Sequence, residues 1–172
     1  VTCATTAAHL IYSDEDMEGF NGTLRVRSPF RTTADREALR LGVLDGTIDA
    51  VVSDHRPEDV EHHDVEFMLS PEGIASLPSA FGLALSGLID TATDPSDATE
   101  AVVRAFTTGP RHVLSLEQGH VDAGTACDLT WFHPGLTHEP NNASKGVNLP
   151  PLRRSFKGRV LGVFKEDRHW TI

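Results

Sequence analysis

The run Ile48-Asp49-Ala50-Val51-Val52-Ser53 limits most strongly what this chain can become. Small and β-branched residues dominate it, Gly46 precedes it, and Asp54-His55 ends it ahead of a Pro- and acid-rich loop. Such a run reads as a buried strand. Just upstream, Thr32 and Asp35 have capping-box spacing. Ala34 to Leu44 carries Leu39, Leu41, Val43 and Leu44, and Gly46 sits where a helix C′ residue belongs. A strand fed directly by a helix packs back in parallel on an earlier strand.

Two earlier strands are on offer: Val1 to Thr6, and Leu24-Arg25-Val26-Arg27, closed by Pro29. Ser13-Asp14-Glu15-Asp16 between them reads as a helix start. The first part of the chain therefore predicts strand, loop, strand, helix, strand, an α/β arrangement with a parallel sheet. Further on, Ile74 to Ile89 is predicted helical, with Ile74, Leu77, Phe81, Leu85 and Leu88 on one face. Ser96 is placed as the cap of a helix through Phe106, and Pro110 at the first position of a short one. From Gly119 the character changes. Cys127 to Phe132 and Gly158 to Phe164 predict strands, separated by a Pro-, Asn- and Ser-rich stretch over 133–156. Cys3, Trp131 and Phe132 are expected in cores.

Charge and composition exclude several classes. A net charge of −10, with only 15 Lys and Arg, argues against a nucleic-acid footprint. No apolar run approaches the roughly 18 residues of a membrane span. Cys3 and Cys127 make no disulfide framework, which fits a reduced, cytoplasmic setting. Val1 stands inside an apparent strand, so the start reads as a cut in a longer chain.

In parallel α/β folds, side chains past the C-terminal ends of different strands converge on one face. His9 follows the first strand and Asp54 the third. An imidazole nitrogen and a carboxylate are competent zinc ligands, and such a carboxylate can also serve as general base. The spacing equally suits two residues that merely cap strand ends. His62 and His63, in an acidic loop, are expected to be solvated, and His55 to face away behind Asp54.

An ordered series of motifs adds to this reading. It runs Thr5-Thr6-Ala7-Ala8-His9-Leu10, Leu24-Arg25-Val26-Arg27-Ser28-Pro29-Phe30-Arg31, Asp35-Arg36-Glu37-Ala38-Leu39, Asp45-Gly46-Thr47-Ile48-Asp49-Ala50 and Ser53-Asp54-His55-Arg56-Pro57. It continues with Val65-Glu66-Phe67, Pro71-Glu72-Gly73-Ile74, Gly119-His120-Val121, Gly124 to Thr130, Ser144-Lys145 and Phe156-Lys157-Gly158-Arg159-Val160. In this order the chain resembles dihydroorotase, a cyclic amidohydrolase of the metal-dependent amidohydrolase superfamily.

The resemblance implies the C-terminal part of a (β/α)8 TIM-type barrel, its last three strands and helices over 1–116. A small β-rich subdomain would follow over 117–172. The implied activity interconverts carbamoyl-aspartate and dihydroorotate in pyrimidine biosynthesis. His9 and Asp54 would be metal ligands of a binuclear zinc centre, with Asp54 the catalytic proton shuttle. The remaining ligands would lie in the missing N-terminal half of the barrel, so this portion alone would be inactive. The family pattern Asp-His-Ala-Pro-His here reads Asp54-His55-Arg56-Pro57-Glu58, and Arg27 stands where the family carries Asn. Arg27, Arg56, Glu58 and Gly73 thus occupy the substrate-binding positions. Glu58 would repel a carboxylate, whereas Arg56 and Arg27 could hold one. Two alternatives stay open: an inactive homologue that is a structural partner of aspartate transcarbamoylase, and a sister allantoinase or hydantoinase. The partners implied are a small-molecule substrate, the N-terminal half, and a homodimer or aspartate transcarbamoylase.

Overall fold

The computed structural model describes residues 1–139, 145–150 and 155–171, without the side chain of His63. Ser144 of the Ser144-Lys145 motif lies outside the described residues.

Strand β1 (Ala4–Thr6) and strand β2 (Ala50–Val52) form the expected parallel pair, in the register Ala4–Ala50, Thr5–Val51, Thr6–Val52. Helix α1 (Thr33–Asp45) connects to β2 and starts as its sequence dictates. The Thr32 hydroxyl accepts from the Asp35 N–H at 3.3 Å, and the Thr32 N–H donates to the Asp35 carboxylate at 3.1 Å. Two of the helix's orphan amide groups are satisfied in this way. Gly46 closes α1 at φ 85°, where a Cβ is costly.

Leu24-Arg25-Val26-Arg27 does not form a strand. Gly22–Leu24 is a 3-10 turn, begun by the Asn21 side chain accepting from the Thr23 N–H at 3.0 Å. The Arg25 carbonyl then accepts from the Gly73 N–H at 2.8 Å, and its guanidinium reaches the Ser70 carbonyl and the Glu72 carboxylate. With Arg25 engaged by residues 70–73, this segment joins no ladder. β1 and β2 become direct neighbours, and the parallel sheet has two strands among the described residues instead of three.

A short helix α2 (Val60–His63) lies in the acidic loop. Helix α3 (Ala80–Ile89) begins later than periodicity suggests. Pro78 lacks an N–H and disfavours helical backbone at Leu77, so Leu77–Ser79 forms a 3-10 turn and Leu77 stays exposed. Ile74 instead makes an isolated parallel bridge with His55. From Gly82 to Leu88 every residue of α3 is buried, so this helix runs through the core with no solvent face.

Helix α4 (Pro95–Phe106) is capped by Asp94, not Ser96: the Asp94 carboxylate accepts from the Ser96 N–H at 2.8 Å, with Pro95 in the first turn. Helix α5 (Thr108–Val113) starts two residues before Pro110. No helix among the described residues is long and apolar enough to cross a membrane.

Strands β3 (Asp128–His138), β4 (Phe156–Lys165) and β5 (Arg168–Thr171) form an antiparallel sheet in that order. β3 runs further into the Pro-rich stretch than expected. β5 carries no apolar alternation to announce it, and pairs with β4 after a tight turn at Glu166. β4 attaches the sheet to α3: Phe156 is buried in the same cluster as Leu83, Leu85 and Leu88, and the Lys157 N–H donates to the Ser86 hydroxyl at 3.0 Å. Phe132 packs edge-on against Phe81, with ring centroids 4.8 Å apart. Trp131, next to it on β3, is exposed, as is Cys3, and neither joins the core expected for it.

Candidate metal and substrate site

β1 ends at Thr6. The Ala7 N–H donates to the Val52 carbonyl at 2.9 Å, and the chain then turns through the 3-10 segment Ala8–Leu10. Ala7, Ala8 and Leu10 are buried, which leaves His9 as the residue of the turn facing outward. Its ring is held on three sides. Nδ1 lies 2.7 Å from the Thr6 hydroxyl, Nε2 lies 2.9 Å from the Ser28 carbonyl, and Phe30 packs at a centroid distance of 4.7 Å. The Ser28 carbonyl can only accept, so Nε2 carries the proton and Nδ1 accepts from Thr6. Burial holds the His9 pKa below the usual imidazole value, against the opposing pull of the Ser28 carbonyl and the Asp54 charge. The ring is therefore neutral at pH 7, the form in which a histidine binds a metal.

β2 ends at Val52, and two residues later Asp54 sits at φ 46°. This left-handed backbone is uncommon for a residue with a Cβ, although Asp tolerates it better than most. It turns the chain sharply at the sheet's end. The Arg56 Nε–H donates to Asp54 Oδ1 at 3.2 Å, both side chains being about two-fifths exposed.

His9, Arg27, Ser28, Asp54 and Arg56 line one cavity of about 200 Å³, with Ile74 against it. Four of the six sequence-predicted site residues thus come together where the two parallel strands end. Glu58 and Gly73 are not part of that lining. Glu58 is turned toward the C-terminal segment: its N–H donates to the Asn148 side chain at 2.8 Å, and its carbonyl accepts from the Val147 N–H at 2.8 Å. Gly73 lies behind Arg56, at φ 150°. His55 faces away from the cavity, as expected, and its Nδ1 accepts from the Leu77 N–H at 3.1 Å. His62 is exposed and paired with Asp59 at 2.7 Å, whose carboxylate raises the His62 pKa.

Three residues at or behind the cavity had no sequence signal as clear as Asp54: Thr6, Ser28 and Asn148. Asn148 had a faint one, a lone amide in the run Gly146-Val147-Asn148-Leu149-Pro150.

The donor types suit zinc: a neutral imidazole and a carboxylate facing one cavity. They form half of a tetrahedral set, and no group of three or more ligating side chains occurs among the described residues. The pair fits a shared centre completed by ligands outside it, provided His9 releases one of its two hydrogen bonds to the metal.

No protein-family model matches the chain. Among solved structures, L-hydantoinase (dihydropyrimidinase) from Arthrobacter aurescens superposes with a TM-score of 0.81 at 16% identity, over 98% of this chain and 39% of that one. The chain shares the fold of a portion of that structure. In sequence, the chain is 33% identical over 171 residues to dihydroorotase from Syntrophus aciditrophicus, covering 98% of this chain and 39% of that protein. It is 36% identical over 165 residues to dihydroorotase from Pelotomaculum thermopropionicum, covering 94% of this chain and 36% of that protein. The chain is a relative of the dihydroorotases, and it spans less than two-fifths of the length of those it matches.

Proposed function

We propose that this chain is the C-terminal portion of a dihydroorotase-like cyclic amide hydrolase that interconverts carbamoyl-aspartate and dihydroorotate. The observation that carries the reading is the meeting of His9, Asp54, Arg27 and Arg56 in one cavity at the ends of β1 and β2. Homology to dihydroorotases along nearly the whole chain supports it.

His9 and Asp54 would hold a zinc ion together with ligands from the rest of the barrel. The ion would supply Lewis acidity and lower the pKa of a water. Arg56 engages Oδ1 of Asp54, which leaves Oδ2 to carry the proton. In ring opening, Oδ2 takes a proton from the attacking water and returns it to the ring nitrogen as the amide bond breaks. Ring closure runs these transfers in reverse. The Nη groups of Arg56 and the guanidinium of Arg27 would hold the substrate carboxylates, a geometry that suits their planar forks. Glu58 is not among the residues lining the cavity, so its carboxylate would not touch a substrate held there.

A second reading is a non-catalytic homologue that acts as a structural partner of aspartate transcarbamoylase. One arrangement favours it: both ring nitrogens of His9 and one oxygen of Asp54 are already engaged by protein groups.

Metal analysis and a carbamoyl-aspartate cyclisation assay on the full-length protein separate the two. The enzyme reading expects bound zinc and turnover, with turnover abolished in Asp54→Ala. A metal-free protein without turnover defeats it and favours the structural partner. Turnover of hydantoin or allantoin alone would move the substrate assignment.

A further inference from the structure

Asn148 is 1% exposed, and every polar group of its side chain is used on the backbone around the site. Its Nδ2 donates to the Arg56 carbonyl at 2.8 Å and to the Gly73 carbonyl at 3.0 Å. Its Oδ1 accepts from the Glu58 N–H at 2.8 Å, and its own carbonyl accepts from the Ala75 N–H at 2.9 Å. One side chain thus ties both ends of Arg56-Pro57-Glu58 to the segment Gly73-Ile74-Ala75. The Arg56 N–H completes the staple by donating to the Ile74 carbonyl at 3.0 Å.

Gly73 supplies the seat. A Cβ built there would lie 2.4 Å from Arg56 Cβ and 2.9 Å from its Cδ, so the Arg56 stem lies directly on the bare Cα. The backbone at φ 150° is also one that residues with side chains rarely adopt. Gly146 closes the other side: a Cβ there would meet Pro57 Cβ at 2.6 Å.

From this geometry we propose that Asn148 is a positioning residue that acts through Arg56. It fixes the Arg56 backbone on the Gly73 seat, so that the guanidinium is aimed at Asp54 and the cavity. Arg56 is the arginine closest to the carboxylate assigned the proton, and a side chain with four rotatable torsions holds one direction only if its backbone is fixed. The importance of that direction for substrate rests on the proposed hydrolase reading. The clamp itself does not.

The test uses the full-length protein labelled with 15N at arginine Nε, the Arg56 signal being assigned by its loss in Arg56→Lys. In Asn148→Ala, hydrogen exchange at Arg56 Nε–H and at the Glu58 amide is expected to accelerate about tenfold or more, while amides of α3 at Leu83, Leu85 and Leu88 keep their rates. Unchanged exchange at Arg56 Nε–H overturns the proposal. So does equal acceleration in α3, which would make Asn148 a general stabiliser. If Asn148→Ala does not fold, Asn148→Asp decides. It keeps the acceptor for Glu58 but cannot donate to Arg56 and Gly73, so faster exchange at Arg56 Nε–H with a protected Glu58 amide supports the clamp, and no change there defeats it. These readouts need no turnover, so failure of the reaction assignment is seen separately. With turnover, Asn148→Ala should raise KM for carbamoyl-aspartate, and should add nothing in an Arg56→Ala background.

Discussion

Arg56 Nε donates to Asp54 Oδ1 at 3.2 Å across a turn in which Asp54 itself has left-handed backbone. The pair spans two residues of sequence and points a cation at the carboxylate on which the proposed chemistry depends. Both partners are about two-fifths exposed, so solvent screens the pair and its contribution to stability is small, about 0–1 kcal/mol. Its value lies in orientation and charge at the cavity.

Arg56→Ala is therefore expected to leave the denaturation midpoint nearly unchanged and to weaken carbamoyl-aspartate binding. Loss of a charged hydrogen bond to a carboxylate is worth about 1.5–3 kcal/mol, or roughly ten- to a hundredfold in KM. Glu58→Ala, whose side chain does not line the cavity, should change KM by less than about threefold, within the usual span of surface substitutions. Steady-state kinetics on the full-length protein checks both. A larger effect at Glu58 than at Arg56 would show that the carboxylate is held elsewhere.

The two helix-linked strands and their convergence on His9 and Asp54 were legible because they rest on local signals. Thr32 and Asp35 announce a helix start, Gly46 a stop, and Val51-Val52 a strand. What was not legible rests on contacts distant in sequence. Arg25-Val26-Arg27 has the look of a strand until Gly73 claims the Arg25 carbonyl. Leu77 fits a helical face until Pro78 ends it. Asn148 lies 92 residues from Arg56, and nothing local marks it as that residue's backbone partner. Cys3 and Trp131 show the converse: the residue type suits a core, but Cys3 precedes β1 in a run of four exposed residues and Trp131 lies in a strand that is exposed along most of its length.

His138 gives a pH dependence with a definite sign. Burial pushes its pKa below the usual imidazole value, and the nearby Arg159 charge acts in the same direction, while a backbone bond at Phe156 partly opposes them. Its Nδ1 is buried without a hydrogen-bond partner. The unfolded chain binds this proton at the ordinary histidine pKa, the folded chain only at lower pH. Stability is therefore full above about pH 6.5 and falls as pH drops from there toward the depressed folded value. Denaturant titrations at pH 7.5 and pH 5.5 should show this loss in the wild type and a smaller loss in His138→Gln. NMR titration should place the His138 midpoint below that of the exposed, Asp59-paired His62, whose pKa is raised. The reverse order would remove burial as the cause.

Phe156 tests how the C-terminal sheet is held. It is 2% exposed and packs under α3 at the first position of β4, whereas Trp131 on β3 is 54% exposed. Truncating a buried aromatic removes its transfer free energy and leaves a cavity, at a cost of about 3–5 kcal/mol. Phe156→Ala should lower stability by that order, and Trp131→Ala by about 0.5 kcal/mol or less. If the sheet were an independent unit resting loosely on the helices, Phe156→Ala would unfold the sheet alone and leave α3 protected from hydrogen exchange. The burial of Phe156 with Leu83, Leu85 and Leu88 gives the opposite expectation: α3 and β4 lose protection together, because the same side chains close both elements.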